Sequence, residues 1–263
     1  MAPESDKAPK PNYRVEALSK GLRILGLFNE KRQSLRLAEV AELTGLPLPT
    51  VFRLTFTLEQ DGFLERRHDG SYRPGLAVLT LGTAAVRGSG LVQACEGPLR
   101  ALADATGETV NLGVLVGDRV LYLVRLRNAD LVTANIQVGS TLPAVYTSMG
   151  KVLLAALGEE AFADRITAAS FTPGAGPNAV STVDDLRARS ASVREQGYAL
   201  QDEELARGLR SIAAPVFGED GEVVAAVNIA VSAGRYGAGD LYGLFGARLS
   251  ATTAEISERL RRS

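Results

Sequence analysis

The chain has 263 residues, of which 46% are hydrophobic and 22% are charged, and its formal net charge is −1. This composition predicts a folded protein with one large or two small domains, and its apolar runs are shorter than the roughly 18 to 20 residues of a membrane helix. The single cysteine, Cys95, and the single histidine, His68, exclude an internal disulfide and any site that needs several cysteines or histidines.

The N-terminal segment "MAPESDKAPKPN" is rich in proline and charge and has no apolar stretch of the kind found in signal peptides. We therefore expect a disordered tail over residues 1–13 and a cytoplasmic protein. Residues 1–88 hold 13 Lys and Arg against 10 Asp and Glu, and the remainder holds 16 against 20. This mild asymmetry permits a nucleic-acid-binding face in the N-terminal part without requiring one.

Three helices are predicted in the first 60 residues. Apolar residues three or four apart predict a first helix with one buried stripe, formed by Val15, Leu18, Leu22, Leu25 and Phe28. "RLAEVAEL" predicts a short second helix, and "TGLPLPT" predicts a tight turn at Gly45 and a new helix near Pro49. Two short helices joined by a glycine-containing turn are typical of a helix-turn-helix.

The third predicted helix, about residues 50–60, has an inner and an outer face. Its spacing directs Val51, Leu54 and Leu58 inward, and an outer face with arginine and threonine suits the major groove of DNA. Two short strands around Asp69-Gly70 predict a hairpin wing. The predicted DNA-binding residues are Thr50, Phe52, Arg53, Thr57, Arg66 and Arg67. The alternative is an ordinary amphipathic helix with solvated arginines.

The remaining chain predicts helices and antiparallel strands. "GLAVLTLGTAAVRGSG", residues 75–90, reads as an amphipathic helix between domains, and a second helix follows over about residues 91–105. Gly117-Asp118 and Asp220-Gly221 each separate two apolar strands, which predicts two hairpins. Hairpins interspersed with helices predict an α+β domain with an antiparallel sheet covered by helices.

Ser148 and Lys151, in "LPAVYTSMGKVLLAAL", have S-x-x-K spacing at the predicted start of a helix. Thr147 or Ser148 can cap this helix, Gly150 allows close approach, and the helix N-terminus attracts a carboxylate. The alternatives are a simple helix cap and a serine acyl-enzyme in which Lys151 activates Ser148. The S-D-N and K-T-G motifs of such enzymes are absent from the sequence, so we expect a protein that is not an enzyme.

Six motifs in register resemble the IclR-type bacterial transcriptional regulators over nearly the whole chain from residue 14 to 260. They are "SKGLRILGLFNE", "LRLAEVAELTGLPLPTVFRLTFTLEQDGFLER", "YRPGLAVLTLG", "LPAVYTSMGKVLLAAL", "GYALQDEELARGLRSIAAPV" and "VVAAVNIAVSAGR". The resemblance implies a winged helix-turn-helix DNA-binding domain over residues 14–75 and a linker helix over 76–90 with dimer contacts. It also implies a GAF-like effector-binding and oligomerisation domain over 91–263.

Within that family the chain looks most like the branch that controls catabolism of protocatechuate and para-hydroxybenzoate. The implied partners are double-stranded operator DNA, a small organic acid and further copies of the chain in a homodimer or tetramer, with no membrane, cofactor or metal. A structural or protein-interaction module remains a further alternative.

The same resemblance implies an effector pocket. The backbone at Ser148 and Met149 would receive the ligand carboxylate, and Arg125 is a further candidate partner for it. The implied apolar walls are Leu131, Ala134, Leu142 and Leu209, and the implied opposite positions are Gln201, Ser211, Asn228 and Ala230. Other members often carry Asp and Ser where this chain has Gln201 and Ala230, so the identity of the ligand is open. We interpret Asp202, Glu203 and Glu204 as a solvated or Arg210-paired acidic turn.

Overall fold

The computed structural model describes residues 13–29, 32–127, 136–172 and 175–262. They divide between Ala85 and Val86 into two compact units. This division lies inside the segment that was predicted to link two domains. Leu131 and Ala134, two residues of the implied effector pocket, lie outside the described residues.

The N-terminal unit contains a helix-turn-helix followed by a two-stranded hairpin. Its elements are α1 (Glu16–Leu25), α2 (Leu37–Thr44), α3 (Leu48–Gln60), β1 (Leu64–Arg66) and β2 (Tyr72–Pro74). Gly45 ends α2 with a positive φ of 69°, where glycine has no steric penalty, and Pro49 lies in the first turn of α3. The hairpin, here called the wing, turns at Gly70, where φ is 78°. The predicted helix-turn-helix and wing are therefore confirmed.

The predicted buried stripe of α1 is wrong. The buried residues of α1 are Gly21 and Ile24. Val15, Leu18 and Leu22 are more than half exposed, whereas Leu25 and Phe28 pack at the edge of a core that contains Ile24, Val40 and Val51. The helix turns Ile24 toward that core, and in a single chain this leaves the regular leucine stripe on the outside.

Two helices follow the wing in the sequence. It forms α4 (Leu76–Arg87) and α5 (Gly90–Thr106). Within the described ranges no single helix is long and apolar enough to cross a membrane, and the consecutive helices Leu76–Val86 and Gly90–Thr106 meet that criterion only together, by length and composition. Cys95, Leu99 and Leu102 of α5 are buried in the core of the C-terminal unit.

The C-terminal unit is built on one six-stranded antiparallel sheet in the order β5-β4-β3-β8-β7-β6. Its strands are β3 (Thr109–Val116), β4 (Arg119–Leu126), β5 (Thr141–Pro143), β6 (Ala199–Asp202), β7 (Leu209–Phe217) and β8 (Val223–Ser232). Gly117 and Gly221 have positive φ at the two turns that were predicted as hairpins. The predicted α+β class with an antiparallel sheet is confirmed.

Helices cover both faces of this sheet. The remaining helices are α6 (Ser148–Ala155), α7 (Glu159–Arg165), α8 (Val183–Gln196) and α9 (Ala247–Arg261). One apolar core lies between the sheet and α5 with α9, and it contains Leu112, Ile212 and Ile229. A second core lies on the opposite face with α6 and α8, and it contains Ala213 and Ala226. Because side chains alternate along a strand, neighbouring residues of β7 and β8 belong to different cores.

Candidate functional site

A small cavity lies on the face of the sheet that carries α6. Its volume is about 20 Å³, which is room for about one water molecule. The lining residues are Asn111, Tyr122, Arg125, Ile136, Thr147, Gln201, Leu205, Leu209, Ser211, Asn228 and Ala230. The cavity is therefore too small for an organic acid of several carbon atoms.

Strand register brings the polar lining residues together from distant parts of the chain. Asn111 of β3 lies opposite Arg125 of β4 on one side and opposite Asn228 of β8 on the other. Two residues further along β8, Ala230 pairs with Ser211, which in turn pairs with Gln201 at the edge of the sheet. Directly opposite side chains in an antiparallel pair are close enough to touch. The polar lining groups therefore form two adjacent cross-strand rows.

Hydrogen bonds join these rows into one network, here called the polar network. Arg125 Nη1 donates to Asn111 Oδ1 at 3.0 Å, and Asn111 Nδ2 donates to Asn228 Oδ1 at 2.7 Å. Asn228 Nδ2 donates to Ser148 Oγ at 3.4 Å, and the hydroxyls of Ser148 and Ser211 lie 2.7 Å apart. Except for Arg125, which is half-buried, the members of the polar network are buried. Hydrogen bonding offsets the cost of burying these groups and fixes their orientations.

Gln201 differs from the other polar residues of the cavity wall. Its side chain is only 2% exposed, and neither its Nε2 nor its Oε1 has a hydrogen-bond partner among the described residues. An unpaired buried amide costs about 1–3 kcal/mol in proteins. Because this amide lines the cavity, its NH₂ group can donate to a bound molecule and its carbonyl oxygen can accept from one.

Arg125 is the cationic group of the cavity wall. Burial lowers the pKa of its guanidinium and the neighbouring Tyr122 partly opposes that shift, yet arginine stays charged in proteins. Burial also raises the pKa of the Tyr122 hydroxyl well above its usual value, so this residue presents a neutral phenol. The cavity thus combines one positive charge, neutral donors and acceptors, and apolar carbon.

The start of α6 packs tightly against the preceding turn. Thr147 is the N-cap, since its side-chain oxygen accepts a hydrogen bond from the Gly150 amide at 3.0 Å. A Cβ on Gly150 would lie 2.1 Å from the Ala144 carbonyl oxygen, so glycine is required for this close approach. Of the residues proposed to receive a carboxylate, Met149 is buried in the apolar core, and the hydroxyl of Ser148 belongs to the polar network.

Lys151 does not activate Ser148. Its ammonium donates to the Leu200 carbonyl oxygen at 2.7 Å and forms a short ion pair with Glu204, and both side chains are buried. Arg189 lies 3.0 Å from the second carboxylate oxygen of Glu204. Burial lowers the pKa of Lys151, and Glu204 opposes that shift. Of the two residues in the S-x-x-K motif, Ser148 therefore belongs to the polar network and Lys151 to a structural ion pair. This arrangement contradicts the acyl-enzyme hypothesis.

The predicted pairing of the acidic turn with Arg210 is found at Asp202 but not at Glu204. Arg210 Nε lies 2.5 Å from Asp202 Oδ1, and Arg210 Nη1 donates to the carbonyl oxygens of Ala233 and Tyr236. Glu204 pairs instead with Lys151, which the sequence did not indicate.

The structure brings together part of the effector set that the resemblance implied. The residues of that set at the cavity wall are Arg125, Gln201, Leu209, Ser211, Asn228 and Ala230. Leu142 and Met149 pack instead in the core between the sheet and α6 with α8. The sequence reasoning missed Asn111, Tyr122, Ile136, Thr147 and Leu205. Polar residues at alternate positions of "TVNLG" were the available signal for Asn111.

The predicted DNA-binding residues lie on the surface of the N-terminal unit. Phe52, Arg53 and Thr57 are exposed on α3, and Thr50 at its start is half-buried. Arg66 ends β1 and Arg67 follows it, and both are exposed on the wing. Val51 packs in the core with Leu54 and Leu58 at its edge, as the spacing predicted. Thr55 is also buried, and its hydroxyl bonds the Val51 carbonyl oxygen at 2.8 Å.

Two sequence models of a known protein family match the chain. The model described as "Bacterial transcriptional regulator IclR C-terminal" matches residues 83–258, and the one described as "IclR helix-turn-helix domain" matches residues 17–68. The chain is 32% identical to the HTH-type transcriptional regulator XynR of Escherichia coli (strain K12), over 84% of this chain and 88% of that protein. It is 31% identical to the Pca regulon regulatory protein of Pseudomonas putida, over 94% and 84% respectively.

A solved structure shares the fold. The crystal structure of an IclR homologue complexed with 4-hydroxybenzoate, from Microbacterium hydrocarbonoxydans, superposes with a TM-score of 0.72. Its sequence is 27% identical, and the match covers 94% of this chain and all of that one.

Proposed function

Because this chain belongs to the IclR family of bacterial transcriptional regulators, we propose that α3 and the wing bind operator DNA and that a small organic acid in the cavity modulates this binding. The observation that carries the proposal is the cavity wall, where Arg125 and the unpaired amide of Gln201 face the same space. A half-buried cation and an unsatisfied neutral amide on the wall of one cavity suit a carboxylic acid with a second polar group.

The DNA-binding part of the proposal rests on α3. Arg53 is placed to bond a guanine edge or a phosphate, and Thr50 and Thr57 are placed to meet a phosphate or a thymine methyl group. Arg66 and Arg67 of the wing can reach the sugar-phosphate backbone. In a dimer, two such helices would read half-sites separated by about one helical turn of DNA or a multiple of it.

The effector part of the proposal assigns each side of the ligand to a group of residues. Arg125 holds the carboxylate, and Gln201 bonds a hydroxyl or carbonyl group at the other end. The apolar body rests on Leu205, Leu209 and Ala230, which form a small apolar cluster, and Leu205 also packs against the core that contains Ala213 and Ala226. Since the cavity holds about 20 Å³, a ligand of several carbon atoms requires the cavity to widen.

An aromatic acid is the finer proposal. The Pca regulon regulatory protein and the 4-hydroxybenzoate complex of a homologue support it, and Gln201 suits a ring hydroxyl opposite a carboxylate. XynR is similar to the same degree, so the panel of test ligands is not restricted to aromatic acids. To act as a regulator, the ligand must bind one DNA-binding arrangement more tightly than the other.

Self-association in the cytoplasm completes the proposal. The exposed apolar residues of α1, Leu18 and Leu22, and those of α4, Leu76 and Leu79, support a contact between copies of the chain. Sedimentation equilibrium is expected to give the mass of a dimer or a tetramer. A monomer at micromolar concentration would contradict this part.

The test combines DNA footprinting with ligand titration. The full chain is footprinted on the promoter region next to its own gene at several salt concentrations, without ligand and with a panel of aromatic and aliphatic acids. We expect a salt-dependent footprint that one class of acid changes. Arg53→Ala is expected to weaken the footprint and keep ligand binding, and Arg125→Ala is expected to keep the footprint and lose its response to ligand. A footprint unaffected by Arg53→Ala would contradict the DNA-binding assignment.

A further inference from the structure

The outer face of α3 carries two exposed aromatic rings. Phe52 and Phe56 are each 51% exposed, and their rings stack with centroids 6.3 Å apart and an angle of 24° between planes. The two residues are four apart on the helix and therefore lie on the same side of it. The N-terminal unit thus leaves both residues half exposed, with their rings side by side as one apolar patch.

Cationic and polar groups surround this patch. The groove that contains both rings is also lined by Arg53 and Thr57 of α3 and by Glu16 and Lys20 of α1. Glu16 is neutralised by an ion pair with Lys20 at 2.7 Å, and the hydrogen bond from Lys20 lowers the pKa of Glu16. Arg53 has no ion-pair partner among the described residues. The patch is therefore apolar in the middle and positive at its edge.

The major groove of DNA has the complementary chemistry. Phosphates line its edges, and the 5-methyl groups of thymine are the apolar features of its floor. Phenylalanine is among the side chains that contact these methyl groups. A protein partner would bury the rings equally well, but it would not by itself account for the adjacent arginine and threonine.

We propose that Phe52 and Phe56 bind the 5-methyl groups of neighbouring thymines, so that they select thymine within the operator. This inference rests on the proposed DNA binding. Arg53 supplies affinity and hydrogen bonding, and the two rings add a preference that depends on one methyl group per base. The preference is therefore for thymine over uracil as well as over cytosine.

The test uses the full chain and measures the methyl group directly. Bound sequences are first selected from a pool of random double-stranded DNA. Each thymine of the best site is then replaced singly by deoxyuridine, which removes only the methyl group. At one or two positions in each half-site, we expect binding to weaken about threefold to fivefold per methyl, the usual effect of leaving one such group unburied. With the double variant F52A/F56A, the thymine-to-uracil ratio is expected to fall to about one.

Arg53→Ala is the matched control on the same helix. It is expected to weaken binding to both DNAs and to keep the thymine-to-uracil ratio. Circular dichroism checks that F52A/F56A remains helical, as expected for exposed residues replaced by the strongest helix former.

Three results would overturn the inference. An equal affinity of the unmodified chain for thymine and uracil sites would do so, and so would a ratio that survives in F52A/F56A. A change in oligomeric mass of F52A/F56A with an unchanged ratio would assign the patch to a protein contact. If the unmodified chain selects no DNA at all, the proposed DNA binding fails and the inference fails with it. If the chain selects DNA but binds thymine and uracil sites equally, the inference alone fails.

Discussion

The outer face of α3 and the wall of the cavity both carry polar side chains, but they lie in opposite environments. Arg53 and Thr57 are exposed to water, whereas Gln201, Ser211 and Asn228 are at most 4% exposed. An exposed polar group exchanges one hydrogen bond with water for another, so its loss changes the free energy of unfolding little. A buried polar group depends on its protein partner. Substitutions at the cavity should therefore change stability, and those on α3 should change binding alone.

The largest change in the free energy of unfolding is expected at the buried ion pair between Lys151 of α6 and Glu204. Lys151→Met leaves the carboxylate of Glu204 buried with Arg189 as its remaining cation, so the free energy of unfolding in urea should fall by about 3–5 kcal/mol. The double variant K151M/E204L removes both charges and should recover most of that loss. Equal destabilisation of the single and double variants would show that the carboxylate left without Lys151 is not the cause.

Gly150 tests how closely α6 approaches the preceding turn. Gly150→Ala places a Cβ 2.1 Å from the Ala144 carbonyl oxygen, so we expect a loss of about 1–3 kcal/mol from overpacking. Gly82 in α4 is the matched control, because a Cβ there meets nothing within 4 Å. Gly82→Ala should raise the free energy of unfolding by about 0.5–1 kcal/mol through helix propensity. A loss of the same size at both positions would contradict the close contact at Gly150.

Gln201 sharpens the distinction within the cavity itself. Gln201→Leu removes an amide without a partner, so the ligand-free protein should gain about 1 kcal/mol of stability in thermal or urea unfolding. Ser211→Ala should lose about 1 kcal/mol, since the Ser148 hydroxyl loses its partner at 2.7 Å. If both substitutions destabilise the protein, the amide of Gln201 is satisfied in solution.

The smallest change in stability is expected at Arg53. Arg53→Ala should leave the free energy of unfolding within about 0.5 kcal/mol of the unmodified chain, while its affinity for specific DNA should fall at least about tenfold. Urea unfolding and DNA titration on the same preparation measure both quantities. A large loss of stability would place Arg53 in the structural framework.

Local patterns predicted the parts of the molecule whose contacts are near in sequence. The turn at Gly45, the helix that follows Pro49 and the hairpins at Gly70, Gly117 and Gly221 each depend on a few consecutive residues. Backbone conformation at these positions follows from glycine and proline themselves. The same kind of pattern gave the wrong face of α1, because burial of Ile24 depends on α2 and α3 and not on the leucine spacing.

The cavity depended on contacts that sequence spacing does not contain. Asn111 and Asn228 bond to each other across 117 residues, and only the register of β3 with β8 places them side by side. Motif resemblance indicated Gln201 and Ser211, but it gave no sign that Gln201 lacks a partner. Likewise, S-x-x-K placed Ser148 and Lys151 one turn apart, yet their partners come from β6, β7, β8 and the loop at Glu204. A local pair can thus form two separate interactions.

The alternation of side chains along β7 and β8 separates the cavity wall from the core on the other face of the sheet. Ser211, Asn228 and Ala230 face the cavity, while their neighbours Ile212, Ile229 and Val231 pack under α5 and α9. A substitution at one of these three positions can therefore alter the cavity wall while the side chains packed on the other face stay the same. Its cost in stability arises from the hydrogen bonds of the cavity wall, and the core under α5 and α9 keeps its packing. The two faces of one sheet can thus diverge independently.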